Sequence, residues 1–105
     1  MTNYKIGYYA KADGERPVLV YIGKKSIEEQ GRIDQKKELL KKEGPFLRLP
    51  HARKFGKIYE LRPKGMRLFY YFSGAVAIFV HAVDKKDFKQ EDIKFSEKRR
   101  KELEG

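Results

Sequence analysis

Apolar and polar positions alternate most clearly in the second half of the chain. In Met66–Phe72, Met66, Leu68, Tyr70 and Phe72 fall on one side, and Arg67, Phe69 and Tyr71 on the other. That is the period of two a strand imposes. Ala75–Val83 repeats it, with Val76, Ile78, Val80 and Ala82 on one face and Ala77, Phe79 and His81 on the other. In Lys57–Arg62, Ile58, Glu60 and Arg62 share a face. The connectors, Pro63-Lys64-Gly65 and Ser73-Gly74, are short, so the three strands form a meander of antiparallel neighbours. Both faces carry large apolar groups, which predicts a sheet covered on both sides, by helices on one and by other segments on the other.

The first half mixes signals. Tyr4–Ala10 is rich in β-formers and precedes the turn signal Asp13-Gly14, so it reads as a first strand. Pro17 fits the first turn of a short helix that Gly23 stops. Ser26-Ile27-Glu28-Glu29 is a capping-box pattern that opens a second helix running to Glu43. Gly44-Pro45 ends it. Its acids lead and its lysines trail, which suits the helix dipole. Its apolar stripe is thin: Ile27, Ile33, Leu39 and Leu40. Phe46–His51 reads as an irregular apolar connection. Gln90–Leu103 reads as a last helix, with slight apolar content in Phe88, Ile93, Phe95 and Leu103. The expected order is β-α-α-β-β-β-α. It gives an α+β fold, a small, antiparallel-dominated twisted sheet of about four strands with helices packed on it.

Composition narrows the class. At 105 residues with 14 aromatics, the chain is expected to fold as one domain, residues 1–105, with one core. It has no cysteine, and its N-terminal stretch, Met1-Thr2-Asn3-Tyr4-Lys5, holds no long apolar run. Disulfides and thiolate metal sites are excluded, and a cytoplasmic protein with no membrane partner is expected. The two histidines, His51 and His81, are a poor ligand set, so neither a metal nor another cofactor is expected. No nucleophile motif or phosphate-binding glycine loop is present.

Net charge is +10, and its distribution is uneven. Residues 44–83 hold seven bases and one acid, whereas 26–43 and 84–105 are nearly balanced. Such an excess points to a polyanionic partner, nucleic acid or an acidic protein. Arg62 and Arg67 flank a tight turn. Antiparallel pairing brings Lys85 and Lys86 beside the start of the Arg67 strand. Four cations thus converge at one sheet end, with Glu60 the only acid expected nearby. Tyr59, Phe69, Tyr70 and Tyr71 supply aromatic faces on which an unstacked base could lie. The bland alternative is a solvated rim on a basic protein whose aromatics are core.

Three segments carry a family resemblance. Ile58-Tyr59-Glu60-Leu61-Arg62, then Gly65-Met66-Arg67-Leu68-Phe69-Tyr70-Tyr71-Phe72, then Phe79-Val80-His81-Ala82-Val83-Asp84-Lys85-Lys86 resemble the RelE/HigB superfamily of type II toxins, most nearly its phage-derived, HigB-like branch. The resemblance spans roughly residues 17–102. It implies a RelE-like fold and a ribosome-dependent mRNA endonuclease neutralised by a cognate antitoxin protein. The partners implied are mRNA and the ribosome with its rRNA. No metal is used: the 2′-hydroxyl attacks the adjacent phosphate, leaving a cyclic phosphate and a free 5′-hydroxyl. That step needs a base, an acid and cations for the phosphorane.

By position, the resemblance makes Arg62 and Arg67 phosphate binders, since a guanidinium matches phosphate bidentately. Lys85 and Lys86 match the family's Lys-Lys, and one of them is expected to supply transition-state charge and proton transfer. Glu60 orients Arg62 or acts as base, with orientation preferred. Lys54, Lys57, His51 and Tyr71 are the candidate RNA contacts. Val83 stands where many members carry Phe. Nothing after residue 86 supplies the C-terminal His-Tyr pair or Tyr that some members use, so the general acid is unassigned. The competing readings are a non-catalytic RelE-fold protein of phage or mobile-element origin that binds RNA or a partner, and a basic DNA-binding module. No recognition helix supports the last.

Overall fold

A computed structural model describes residues 3–105; Met1 and Thr2, part of the N-terminal stretch considered above, lie outside the described residues. The chain runs β1 (Lys5–Tyr8), α1 (Pro17–Gly23), α2 (Ile27–Glu43), β2 (Ala52–Phe55), β3 (Ile58–Leu61), β4 (Met66–Ser73), β5 (Val76–Asp84) and α3 (Gln90–Glu104). The five strands form one sheet in the order β1-β5-β4-β3-β2. β1 pairs parallel to β5, and every other pairing is antiparallel. The fold is α+β, as the alternation and the helix signals require. The fifth strand, β2, was not foreseen. It is short, it lies at an edge, and Arg53 and Lys54 at its middle hide the period of two.

Local signals set the helices. Pro17 stands at the first turn of α1, where its missing N–H costs nothing. Ser26 caps α2 through its hydroxyl on the Glu29 amide, and Glu29 returns the bond to the Ser26 amide. Gly44 ends α2 with φ +57, and an added Cβ there would overlap the Tyr4 ring. Glycine is therefore required twice over, by dihedral and by space. The thin stripe of α2 is only half used. Ile33 and Leu40 are fully buried, whereas Ile27 is 90% exposed because it opens the helix beyond the sheet's reach.

Helices cover both sheet faces. Val18 of α1 and Ile33 and Leu40 of α2 pack with Leu61, Leu68, Tyr70 and Phe79. On the opposite face, Ile58, Phe69, Tyr71 and Val80 pack with Ile93 and Phe88 under α3. α3 is fixed by polar contacts that compensate for its few apolar residues. His81 Nε2 meets Asp92 Oδ1 at 2.8 Å, and Arg99 Nη1 donates to the Val80 carbonyl at 2.6 Å. Arg100, 7% exposed, pairs with Glu97 and Glu104.

One irregularity revises the face assignment of β5. Phe69 pairs with His81, but Tyr70 pairs with Phe79, so Val80 has no partner on β4. This is a β-bulge, and it reverses the alternation. Ala77 and Phe79 face α1 and α2; His81 joins Val80 on the α3 face, stacked on Phe69 at 5.8 Å. Ala82 then sits with the α1/α2 core. The simple alternation had grouped Ala82 with Val80 and His81 with Phe79.

Candidate nucleic-acid interface

The hairpin of β3 and β4 positions the arginines. Glu60 lies opposite Phe69 of β4 and Arg53 of β2, so it shares the α3 face with them. Arg62 follows β3 directly, and its backbone amide donates to the His51 carbonyl at 2.9 Å. Gly65 closes the turn at φ +80, a value open to glycine. Arg67 enters β4 opposite Val83.

One carboxylate organises both guanidiniums. Arg62 Nη1 donates to Glu60 Oε1 at 2.8 Å, and Arg67 Nε stands 3.9 Å from the same oxygen. Arg67 Nη1 also donates to the carbonyls of Met66 at 2.7 Å and Pro63 at 3.3 Å. Glu60 is 2% exposed and Arg67 7%, so water competes weakly for these bonds. Burial, and next the Arg62 charge, push the Arg67 guanidinium below its ordinary pKa, while Glu60 opposes the shift. Arginine keeps its proton regardless. Two cations on one anion leave a net positive charge in a low-dielectric corner. Arg62, with the more open side chain, faces outward. The arrangement can hold an oxyanion at Arg62 while Arg67 backs it electrostatically.

Lys85 and Lys86 are exposed just past β5, and the Lys85 amide donates to the Gly65 carbonyl at 2.9 Å. The backbone therefore reaches the arginine turn. The lysines themselves line a cleft of about 560 Å³ with Lys25, Glu29, Gly65 and Asp84. Asp84 accepts from both Lys25 and the Tyr21 hydroxyl, and those bonds, Lys25 first, hold its carboxyl below the usual range. Burial and Asp84 in turn push the Tyr21 hydroxyl up. Glu60 is thus not the only acid at this end: Asp84 and Glu29 stand beside the lysines. Asp84 precedes Lys85 in the chain, and tertiary packing brings Lys25 and Glu29 to it.

The remaining candidates lie elsewhere. Lys54, Lys57 and Tyr71 line a narrow cleft with Tyr59, Arg100 and Glu104, at the end of β3 opposite Arg62. Lys54 Nζ sits 5.6 Å from the Tyr59 ring centre. His51 Nδ1 is 2.8 Å from Lys36 Nζ, in a groove against α2. The aromatic platforms are core. Phe69 and Tyr70 are fully buried, Tyr71 is 2% exposed and Tyr59 8%. Burial also raises the Tyr71 pKa. These rings pack the sheet and offer a base almost no face.

Sequence reading missed Arg53 and the His81–Asp92 pair. Arg53 could not be placed opposite Glu60 while β2 was unrecognised. The alternation places His81 on a strand, but its Asp92 partner comes from α3, across a boundary that spacing alone does not bridge. Among the described residues, no three His, Asp or Glu side chains gather as a metal would require. No described helix is long and apolar enough to cross a membrane.

No curated protein matches the chain. A family profile, Phage derived protein Gp49-like (DUF891), matches residues 20–101, which contain every candidate residue above and four of the five strands. That family is associated with toxin-antitoxin toxins of the RelE/HigB type. The sheet with helices on both faces is compatible with a RelE-like fold. By a match over most of its length, the chain belongs to the phage-derived Gp49-like protein family.

Proposed function

We propose that this protein is the toxin of a type II toxin-antitoxin system, a metal-independent endoribonuclease that cuts mRNA on the ribosome. The observation that carries the reading is the Arg62–Glu60–Arg67 cluster, two guanidiniums fixed by one buried carboxylate at the rim of a basic sheet. In the proposed reaction the 2′-oxygen bonds to phosphorus and the 5′-oxygen leaves. Arg62 binds the phosphate, and Arg67 adds charge behind it as negative charge grows on the phosphorane. Glu60 acts as a positioning residue, because its buried carboxylate accepts from Arg62 with Arg67 3.9 Å behind. We assign Lys85 and Lys86 the proton transfers and further charge at the turn. Lys54 and Lys57 track the RNA backbone, and His51 adds a contact from its separate groove against α2. Tyr71 acts indirectly, through the floor of the Lys54–Lys57 cleft. The basic surface suits an acidic antitoxin.

A second reading, RNA or partner binding without cleavage, has one observation in its favour. The carboxylate nearest the arginines is taken up in ion pairs, and His81, beyond Phe69, is bound to Asp92. Induced expression of wild type, Arg62→Ala and Arg67→Ala separates the two. Growth arrest and new 5′-hydroxyl ends on mRNA in wild type, both lost in the variants, support cleavage. Arrest without new ends supports the second reading, and no effect on growth or translation sinks the toxin assignment.

A further inference from the structure

We propose that Arg53 and Phe55 of β2 form a nucleobase-stacking subsite for a single-stranded RNA nucleotide flanking the phosphate held at Arg62; this rests on the ribonuclease reading above. β2 is the sheet's edge, and register places Arg53 opposite Glu60 and Phe55 opposite Ile58. Both side chains therefore sit on the α3 face, one strand from the arginine cluster. Arg53 is exposed, yet it makes no ion pair with Glu60 among the described residues, whose contacts go to Arg62 and Arg67. Its guanidinium lies instead over the Phe55 ring, 4.9 Å from the ring centre.

That placement has a chemical consequence. The ring holds one side of the guanidinium, and the other side meets solvent. A base can stack on that outer face, as bases do on arginine planes in RNA-binding proteins. The N–H edges, which no acceptor among the described residues takes, are left for the neighbouring phosphate. Residues 52–58 contain Arg53, Lys54 and Lys57 and no acid, so this stretch adds only positive charge toward a polyanion. An arginine on an edge strand can also serve only to discourage strand-to-strand aggregation. Lysine would serve that purpose equally, but it has no plane to stack.

The test compares wild type with Arg53→Lys, Arg53→Gln, Phe55→Ala and Phe55→Trp. Cuts on one reporter mRNA are mapped by primer extension in a cell-free translation reaction, and thermal unfolding confirms that each variant is folded. Arg53→Lys, Arg53→Gln and Phe55→Ala are expected to lower cutting roughly tenfold, the scale of one lost stacking contact, and Phe55→Trp to retain it. Undiminished cutting by folded Phe55→Ala, or full rescue by Arg53→Lys, overturns the subsite and leaves the ribonuclease reading intact. A wild type that cuts nothing overturns both.

Discussion

Arg62 reaches Glu60 through a single 2.8 Å hydrogen bond, and the carboxylate it reaches is only 2% exposed. A buried anion this close fixes the Arg62 guanidinium, while Arg67, 3.9 Å from the same oxygen, is held by the Met66 and Pro63 carbonyls. The anion depends on Arg62 in turn, because a buried charge left without its partner costs more than the pair contributes.

Removing that anion should therefore be felt in stability before function. Glu60→Ala is expected to destabilise the protein by about 1–3 kcal/mol, the cost of leaving buried polar groups without partners. Glu60→Gln keeps an acceptor for Arg62 and should lose less. Urea unfolding monitored by circular dichroism measures both. An unchanged midpoint for Glu60→Ala would show that the carboxylate does not organise the cluster.

Both arginines should tie activity to stability. Arg62→Ala takes the hydrogen-bond donor from the buried Glu60 carboxylate and should destabilise the protein by about 1–3 kcal/mol. It should lower mRNA cleavage about 100-fold or more, as losing a charge stabiliser does. Arg67 donates to the carbonyls of Met66 and Pro63 from a buried position. Arg67→Ala should therefore lose activity and stability together. Paired thermal melts and cell-free translation assays read both, and an unchanged melt for Arg62→Ala would show that the buried carboxylate does not need it.

His81 should make stability depend on pH. Burial beneath α3 holds its imidazole below the ordinary histidine pKa, with the Asp92 bond opposing and the Arg99 charge assisting. The folded state then takes up a proton less readily than the unfolded chain. Its contribution is complete above the ordinary value of 6.5 and is lost as pH falls through the lower folded value. Melting temperatures between pH 8 and pH 5 should fall more steeply for wild type than for His81→Gln. Parallel curves would assign the acid sensitivity elsewhere.

Two glycines of one helical region should respond in opposite directions. Gly44→Ala meets the Tyr4 ring at positive φ and should cost about 1–3 kcal/mol. Gly31→Ala, mid-helix in α2 with open space around it, should stabilise by about 0.5–1 kcal/mol. Chemical denaturation of both proteins checks the signs. Tyr4→Ala in the Gly44→Ala background should recover part of the loss, because it removes the clash and leaves the dihedral strain.

The sequence by itself determined whatever is decided within a few residues. Pro17, the Ser26–Glu29 box and Gly44 set the helix ends, because caps and φ preferences act over one turn. The alternation in Met66–Phe72 and the short connectors set the central meander. The meander in turn placed Arg62, Glu60 and Arg67 together, because they share one hairpin. Tertiary structure decided the rest. The bulge at Val80 turned His81 toward α3, where Asp92 meets it. The packing of α1 and the start of α2 drew Lys25 and Glu29 in beside Asp84, Lys85 and Lys86. The recruitment of β2 as an edge strand set Arg53 beside the arginine cluster. Each of these turns on which residue of one element meets which residue of another. That choice is made by packing across the whole sheet, and no local period encodes it.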